Sequence, residues 1–161
     1  MMSSVNPQRK LQLVADSSQH FELFVAFATD DQEHINQHFG TCKALSIYGV
    51  DRHQASVAEV VQFSQLASGH DQGKLQARYD ALHDCAAVYC NAIGPSAIAQ
   101  LVSQGVQPLK VAAGHAIQQA ITELQMQLTE EPKGWLGKAL RRGTSQHHQS
   151  KALTDLLDES W

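Results

Sequence analysis

The stretch that most restricts the fold is Phe21 to Ala28, FELFVAFA, apolar at every position except Glu22. Successive side chains of a strand point to opposite faces, so a strand apolar at nearly every position needs cover on both. A hairpin with one wet face would alternate instead. The chain must therefore build layers on both sides of a central sheet, and 161 residues suffice for one such core. The run stops at the polar Thr29-Asp30-Asp31.

Further elements follow from periodicity. Ala44 to Val50 (ALSIYGV) and Ser56 to Phe63 (SVAEVVQF) read as strands joined by a turn at Asp51 to Gln54. Leu75, Tyr79 and Leu82 recur at helical spacing, giving a helix from about Asp71 to His83. Cys85 to Cys90 (CAAVYC) is a short buried strand. Gly94-Pro95-Ser96 opens a helix through Val102 that Gly105 stops, and Gln107 to Val111 is a last strand. After Gly114, Ile117, Ile121, Leu124 and Leu128 stripe a helix that ends at Thr129, before Pro132.

The order β-β-β-α-β-α-β-α predicts an α/β fold with a mixed five-stranded sheet of RNase H-like layout. Its first three strands are antiparallel, parallel βα crossovers follow, and helices cover both faces. The first and fourth strands then adjoin, bringing the loop Thr29 to Cys42 beside the loop Asn91 to Ser96 at the strands' carboxyl ends. Residues 1–20 read as a loose or partly docked leader, 21–130 as the folded body, and 131–161 as a helical or partly disordered tail. Trp135 to Arg142 and Lys151 to Leu157 are its helical candidates.

Composition excludes several classes of function. A net charge of -4, from 12 basic and 16 acidic residues, supplies no field for nucleic acid. No apolar run reaches the roughly 18 residues of a membrane span, and Met1 to Leu11 lacks a secretory signal, so the cytoplasm is expected. Cys42, Cys85 and Cys90 are an odd number without CxxC spacing, as in free thiols of a reducing compartment. No Walker loop, nucleophile elbow or dinucleotide fingerprint is present. Asp30 and Asp31 stand where a nuclease of this topology carries a carboxylate, but the strand Ala86 to Cys90 offers no second one.

Chemistry is left to the two adjoining loops. His34, His38 and Cys42 are spaced by four, a row that would bind zinc if the segment were helical, although Gly40 argues against continuous helix. His38 alone is a candidate iron ligand beside Gly40, which permits a tight turn or close approach. On spacing alone a surface or turn histidine remains the favoured reading. In the second loop, Cys90 would be a soft metal ligand or a buried small hydrophobe, and Gly94, Ser96 and Ala97 would offer helix-terminal amides to an anion. Strand alternation puts Cys85 on the face opposite Cys90 and makes it a packing residue. Lys43, Arg52 and Lys110 are the basic residues placed to offset anionic charge, each also readable as a solvated surface charge.

Several ordered blocks resemble one family. VAFATDD at Val25 to Asp31, HFG at His38 to Gly40, IYGV at Ile47 to Val50, CAAVYCNAIGPSA at Cys85 to Ala97 and GVQPLKV at Gly105 to Val111 are similar to the NifX/NafY family of nitrogenase cofactor-assembly proteins. The resemblance spans Phe21 to Gln127, and WLGKALRR at Trp135 to Arg142 resembles NifX tails. It implies a non-catalytic RNase H-like carrier that binds an iron-sulfur precursor of the iron-molybdenum cofactor, or the cofactor itself. Such a carrier passes its cargo between assembly proteins, a cluster donor and a scaffold acceptor, and a monomer suits that role. The family's HFG histidine falls on His38, with Phe39 and Gly40 beside it, which reverses the reading from spacing alone. Cys90 is a second candidate metal ligand, although many members have glycine or alanine near that position. Two alternatives stay open: an interaction or regulatory module without its own cluster, and a simple divalent-metal protein using His34, His38 and Cys42.

Overall fold

The computed structural model describes residues 9–13, 21–64 and 71–142, with side chains from 21–64 and 75–142. The helical candidate Lys151 to Leu157 lies outside them. The central sheet is formed by β1 (Arg9–Leu13), β2 (Leu23–Ala28), β4 (Ala44–Val50), β5 (Ala55–Phe63), β6 (Ala87–Cys90) and β7 (Gln107–Lys110), in the order β1-β5-β4-β2-β6-β7. A two-residue ribbon pairs β3 (His34–Ile35) with β8 (His115–Ala116). The helices are α1 (Asp71–Ala81), α2 (Pro95–Ser103), α3 (Ile117–Thr129) and a segment over residues 134–142.

The five strands read from the sequence are all present. β2, β4 and β5 form an antiparallel meander, and β6 and β7 continue it in parallel from β2. The structure adds a sixth strand inside the leader, where Arg9–Leu13 pairs antiparallel with Glu59–Phe63. Five residues with two leading charges give little hydrophobic periodicity, and such short charged strands suit a sheet edge.

Core residues lie on both faces of the sheet, as FELFVAFA requires. Val25 and Phe27 join Ile117, Ile121, Leu124 and Leu136 on one face, whereas Ala26 and Ala28 join Leu45, Leu82, Ala97 and Leu101 on the other. Phe27, fully buried, stacks on Tyr89 with centroids 4.9 Å apart and meets Tyr48 edge-on at 5.4 Å. Gly49 is required by contact: a Cβ there would overlap the Phe21 ring. Gly105 ends α2 at φ +85, the left-handed cap expected of it. No helix among the described residues is long and apolar enough to cross a membrane.

Contrary to strict strand alternation, the two cysteines share a face. Cys85 and Cys90 both join the cluster under α1 and α2, because Cys85 precedes β6 and the bend at Ala86 resets the period.

Candidate functional site

The parallel strands β2, β6 and β7 end at one edge of the sheet, and the connections leaving them meet there. The loop after β2 begins with buried Thr29, whose Oγ1 accepts the backbone N–H of Gln32 at 3.0 Å. Asp31 then turns the chain: its Oδ1 accepts the N–H groups of Glu33 and His34, each at 2.8 Å. These bonds, the Glu33 N–H first and the His34 ring next, hold the Asp31 carboxyl well below the usual range. The same carboxylate lies 3.0 Å from His34 Nδ1 and raises the imidazole pKa above its ordinary value.

The loop next crosses the end of β6. Asn91 donates its N–H to the Gln37 carbonyl at 3.0 Å, Phe39 donates to the Ala92 carbonyl at 2.9 Å, and His38 forms a parallel bridge with Ala92. The two loops expected to adjoin are thus bonded to each other. Phe39–Thr41 is a short 3-10 turn, with His38 as its N-cap in extended conformation at φ -77 and ψ 145. Phe39 is fully buried and stacks near Tyr79 with centroids 6.0 Å apart, so alternation leaves His38 outside. His38 is exposed.

Gly40 lies two residues after His38 and Gly94 two residues after its bridge partner Ala92, and the fold requires a glycine at neither position. Neither Gly40 nor Gly94 has positive φ; a Cβ on Gly40 would make ordinary contact with Leu75 at 3.8 Å, and one on Gly94 would meet nothing within 4 Å. The chain does turn tightly at Gly40, within Phe39–Thr41, but the turn does not use a backbone conformation reserved for glycine. Gly94 is the N-cap of α2, whose first turn has no side-chain cap and no acidic residue. The amides of Ser96 and Ala97 are left to solvent or a ligand, since Pro95 has none and the first i to i+4 bond is made by Ile98.

Other candidates are placed elsewhere. Cys90 is 0% exposed, packed in the cluster that holds Phe39, Cys42 and Ala97, and burial pushes its thiol up to about 11. A position at a strand end points to a ligand, but the Cys90 side chain is packed in the buried cluster with Phe39, Cys42, Ala97 and Leu101. Cys42 is also fully buried, so the His34, His38, Cys42 row does not assemble. Among the described residues the one cluster of metal-capable groups is Asp31, Glu33 and His34. Its Asp31 oxygens are already engaged by the turn.

Lys43 immediately precedes β4 and Lys110 closes β7, both exposed at the site edge. Arg52 is at the opposite edge: its backbone N–H donates to Glu22 at 3.2 Å and its Nε lies 3.7 Å from the same carboxylate. The antiparallel hairpin turns the end of β4 back beside the start of β2, away from His38. Two residues escaped the sequence reading. Arg78, 4% exposed on α1, donates to the Cys42 carbonyl behind the 3-10 turn and lies 4.4 Å over the Phe63 ring. Asn91 bonds loops together through its side chain. A lone amide directly after a buried strand is the only signal that could have marked it.

The family model described as dinitrogenase iron-molybdenum cofactor matches residues 22–127, which include this whole edge. The chain belongs to that family. Within the dinitrogenase iron-molybdenum cofactor family it is NifX-like: it is 42% identical over 137 residues to the protein named NifX of Azotobacter vinelandii, covering 85% of this chain and 87% of that one. The NifX of Klebsiella pneumoniae is 32% identical over 144 residues, covering 89% and 87%. The Azotobacter vinelandii protein named NifY is 28% identical over 116 residues, 72% of this chain but 47% of its own length. The crystal structure of PH0822 shares the family fold at 22% identity and TM-score 0.50, over 65% of this chain and 89% of that one.

Proposed function

We propose that this chain carries an iron-sulfur precursor of the iron-molybdenum cofactor, or the cofactor itself, and passes it between nitrogenase assembly proteins, with His38 as the protein ligand. The observation that carries the reading is the exposed His38 imidazole on a backbone fixed at both neighbours. Open surface beside a fixed ligand suits a bulky cargo. Imidazole binds iron through its unprotonated nitrogen. The uncapped first turn of α2 and the exposed Lys43 and Lys110 suit a cargo of negative charge.

With Cys90 buried, the site supplies one side-chain ligand and backbone donors. That is far short of the four cysteines of a resident iron-sulfur centre. Sparse ligation favours release to an acceptor, which a carrier needs and a catalyst or electron-transfer protein does not. The RNase H-like description of the sheet belongs with this reading and is supported by the order β5-β4-β2-β6-β7 of its five principal strands.

Anaerobic incubation with ferrous iron, sulfide and thiol, followed by visible spectroscopy and elemental analysis, tests it. The carrier takes up iron and sulfide together with charge-transfer absorption, and His38→Ala weakens uptake. Zinc alone in stoichiometric amount, or no metal beside a retained protein partner, would replace the reading.

A further inference from the structure

Three connections meet around Asn91, the first residue after β6. Its Nδ2 donates to the carbonyl of Ile35 at 2.9 Å and to that of Val111 at 3.2 Å. Its backbone N–H donates to the carbonyl of Gln37 at 3.0 Å. Ile35 and Gln37 belong to the loop that presents His38, and Val111 to the connection between β7 and β8. Gly114 also donates to the Ile35 carbonyl, at 3.3 Å, so that oxygen joins the same three segments.

The chemistry of these bonds restricts the residue. Both side-chain acceptors are carbonyl oxygens, so the nitrogen and not the oxygen of the amide must face them. Aspartate would bring only lone pairs, serine a single hydrogen, and alanine none. His38 stands between Gln37, held by the Asn91 backbone, and Phe39, held by the Ala92 carbonyl. Segment 35–39 is thus fastened at Ile35, Gln37 and Phe39, with the imidazole on an unfastened side chain between the last two.

We infer that Asn91 is a positioning residue for the cargo site: it holds the His38 loop on the end of β6 so that the imidazole meets its cargo already oriented. The inference rests on the reading of His38 as ligand. An ordered loop meets a ligand without the conformational loss that a loose one would suffer on binding. Asn91 need not touch the cargo to influence its affinity.

The test is a double-mutant cycle on the full chain, with a synthetic thiolate-capped [4Fe–4S] cluster as the probe under anaerobic conditions. Asn91→Ala is expected to weaken binding by about tenfold, the order of one net hydrogen bond, when His38 is present. In the His38→Ala background it should cost nothing more. Equal losses in both backgrounds, or no loss beside His38, would overturn the positioning role. If His38→Ala alone leaves affinity unchanged, the ligand reading has failed and the inference with it, a result that single variant reports separately.

Hydrogen exchange of the apo chain supplies a readout free of cargo. The Phe39 amide should exchange at least about tenfold faster in Asn91→Ala, while β4 amides keep their protection. Asn91→Ser, which retains one donor, should fall between. Unchanged exchange at Phe39, or loss of protection throughout the sheet in both variants, would overturn the proposal.

Discussion

Gly94→Asp places a carboxylate at the N-cap of α2, where fold and cargo make opposite demands. Gly94 already has the extended backbone of an N-cap, at φ -78 and ψ 161, and a Cβ would meet nothing within 4 Å. The new side chain can accept from the amides of Ser96 and Ala97, which no side chain caps. Against glycine the cap is worth a few tenths of a kcal/mol, and a negative charge in the first turn adds about 0.3–1 kcal/mol. A total of about 1 kcal/mol corresponds to a rise of about 2–4 °C in Tm for a chain of this size. For the cargo the sign reverses. In water a unit charge repels a dianionic cluster by about 2 kcal/mol at about 4 Å and by about 1 kcal/mol at twice that distance, a loss of about five- to thirtyfold in affinity. Gly94→Ser supplies the cap without the charge, so it should share the gain in Tm and keep most of the affinity. The assays are thermal melts of the apo chain and anaerobic cluster titrations at low and high salt, the difference between Asp and Ser shrinking as salt rises. Equal affinity for the two variants at low salt would refute an anionic cargo at this helix end.

Other perturbations have equally definite outcomes. Phe39→Ala removes a fully buried ring from beneath the His38 turn and should cost about 3–5 kcal/mol in denaturant melts; a loss below about 1 kcal/mol would show that the ring does not anchor the turn. The Asp31 and His34 contact is complete between the unfolded pKa values of 3.8 and 6.5. It is lost as pH falls through the depressed folded value of Asp31, and as pH rises through the raised one of His34. NMR titration should therefore place His34 above 6.5 and return it toward 6.5 in Asp31→Asn; an unmoved midpoint would disprove the pairing. Burial raises the thiols of Cys42, Cys85 and Cys90, so a thiol reagent at pH 8 should modify them quickly only after denaturant is added. Cys90→Ala should leave cluster uptake intact, and a loss as large as that of His38→Ala would return Cys90 to the ligand set.

Features that depend on local pattern were legible in the sequence. FELFVAFA announced a strand covered on both faces, Gly105 announced the end of α2, and the element order brought the first and fourth strands together. Features that depend on contacts distant in sequence were not. Arg52 looks close to the site along the chain, but the hairpin carries it to Glu22 at the far edge. A place at a strand end makes Cys90 look like a ligand, whereas its role depends on which face that last residue takes, and it takes the buried face with Ala97 and Leu101. Asn91 has only its place after a buried strand to mark it, because its partners are remote: Ile35 is 56 residues away and Val111 is 20. Nor could composition show that Gly94 leaves open space, a property of everything around it. For His38 the sequence supplied a family resemblance, and the structure supplied a fixed backbone and an exposed side chain.

Pulsed electron-nuclear resonance on the loaded chain, with histidine labelled by nitrogen-15, tests the ligand itself. If His38 holds the cargo, a paramagnetic cluster bound to the intact protein shows hyperfine coupling to one imidazole nitrogen, and the coupling disappears in His38→Ala. A loaded cluster without nitrogen coupling, or one whose coupling survives in His38→Ala, would contradict the account.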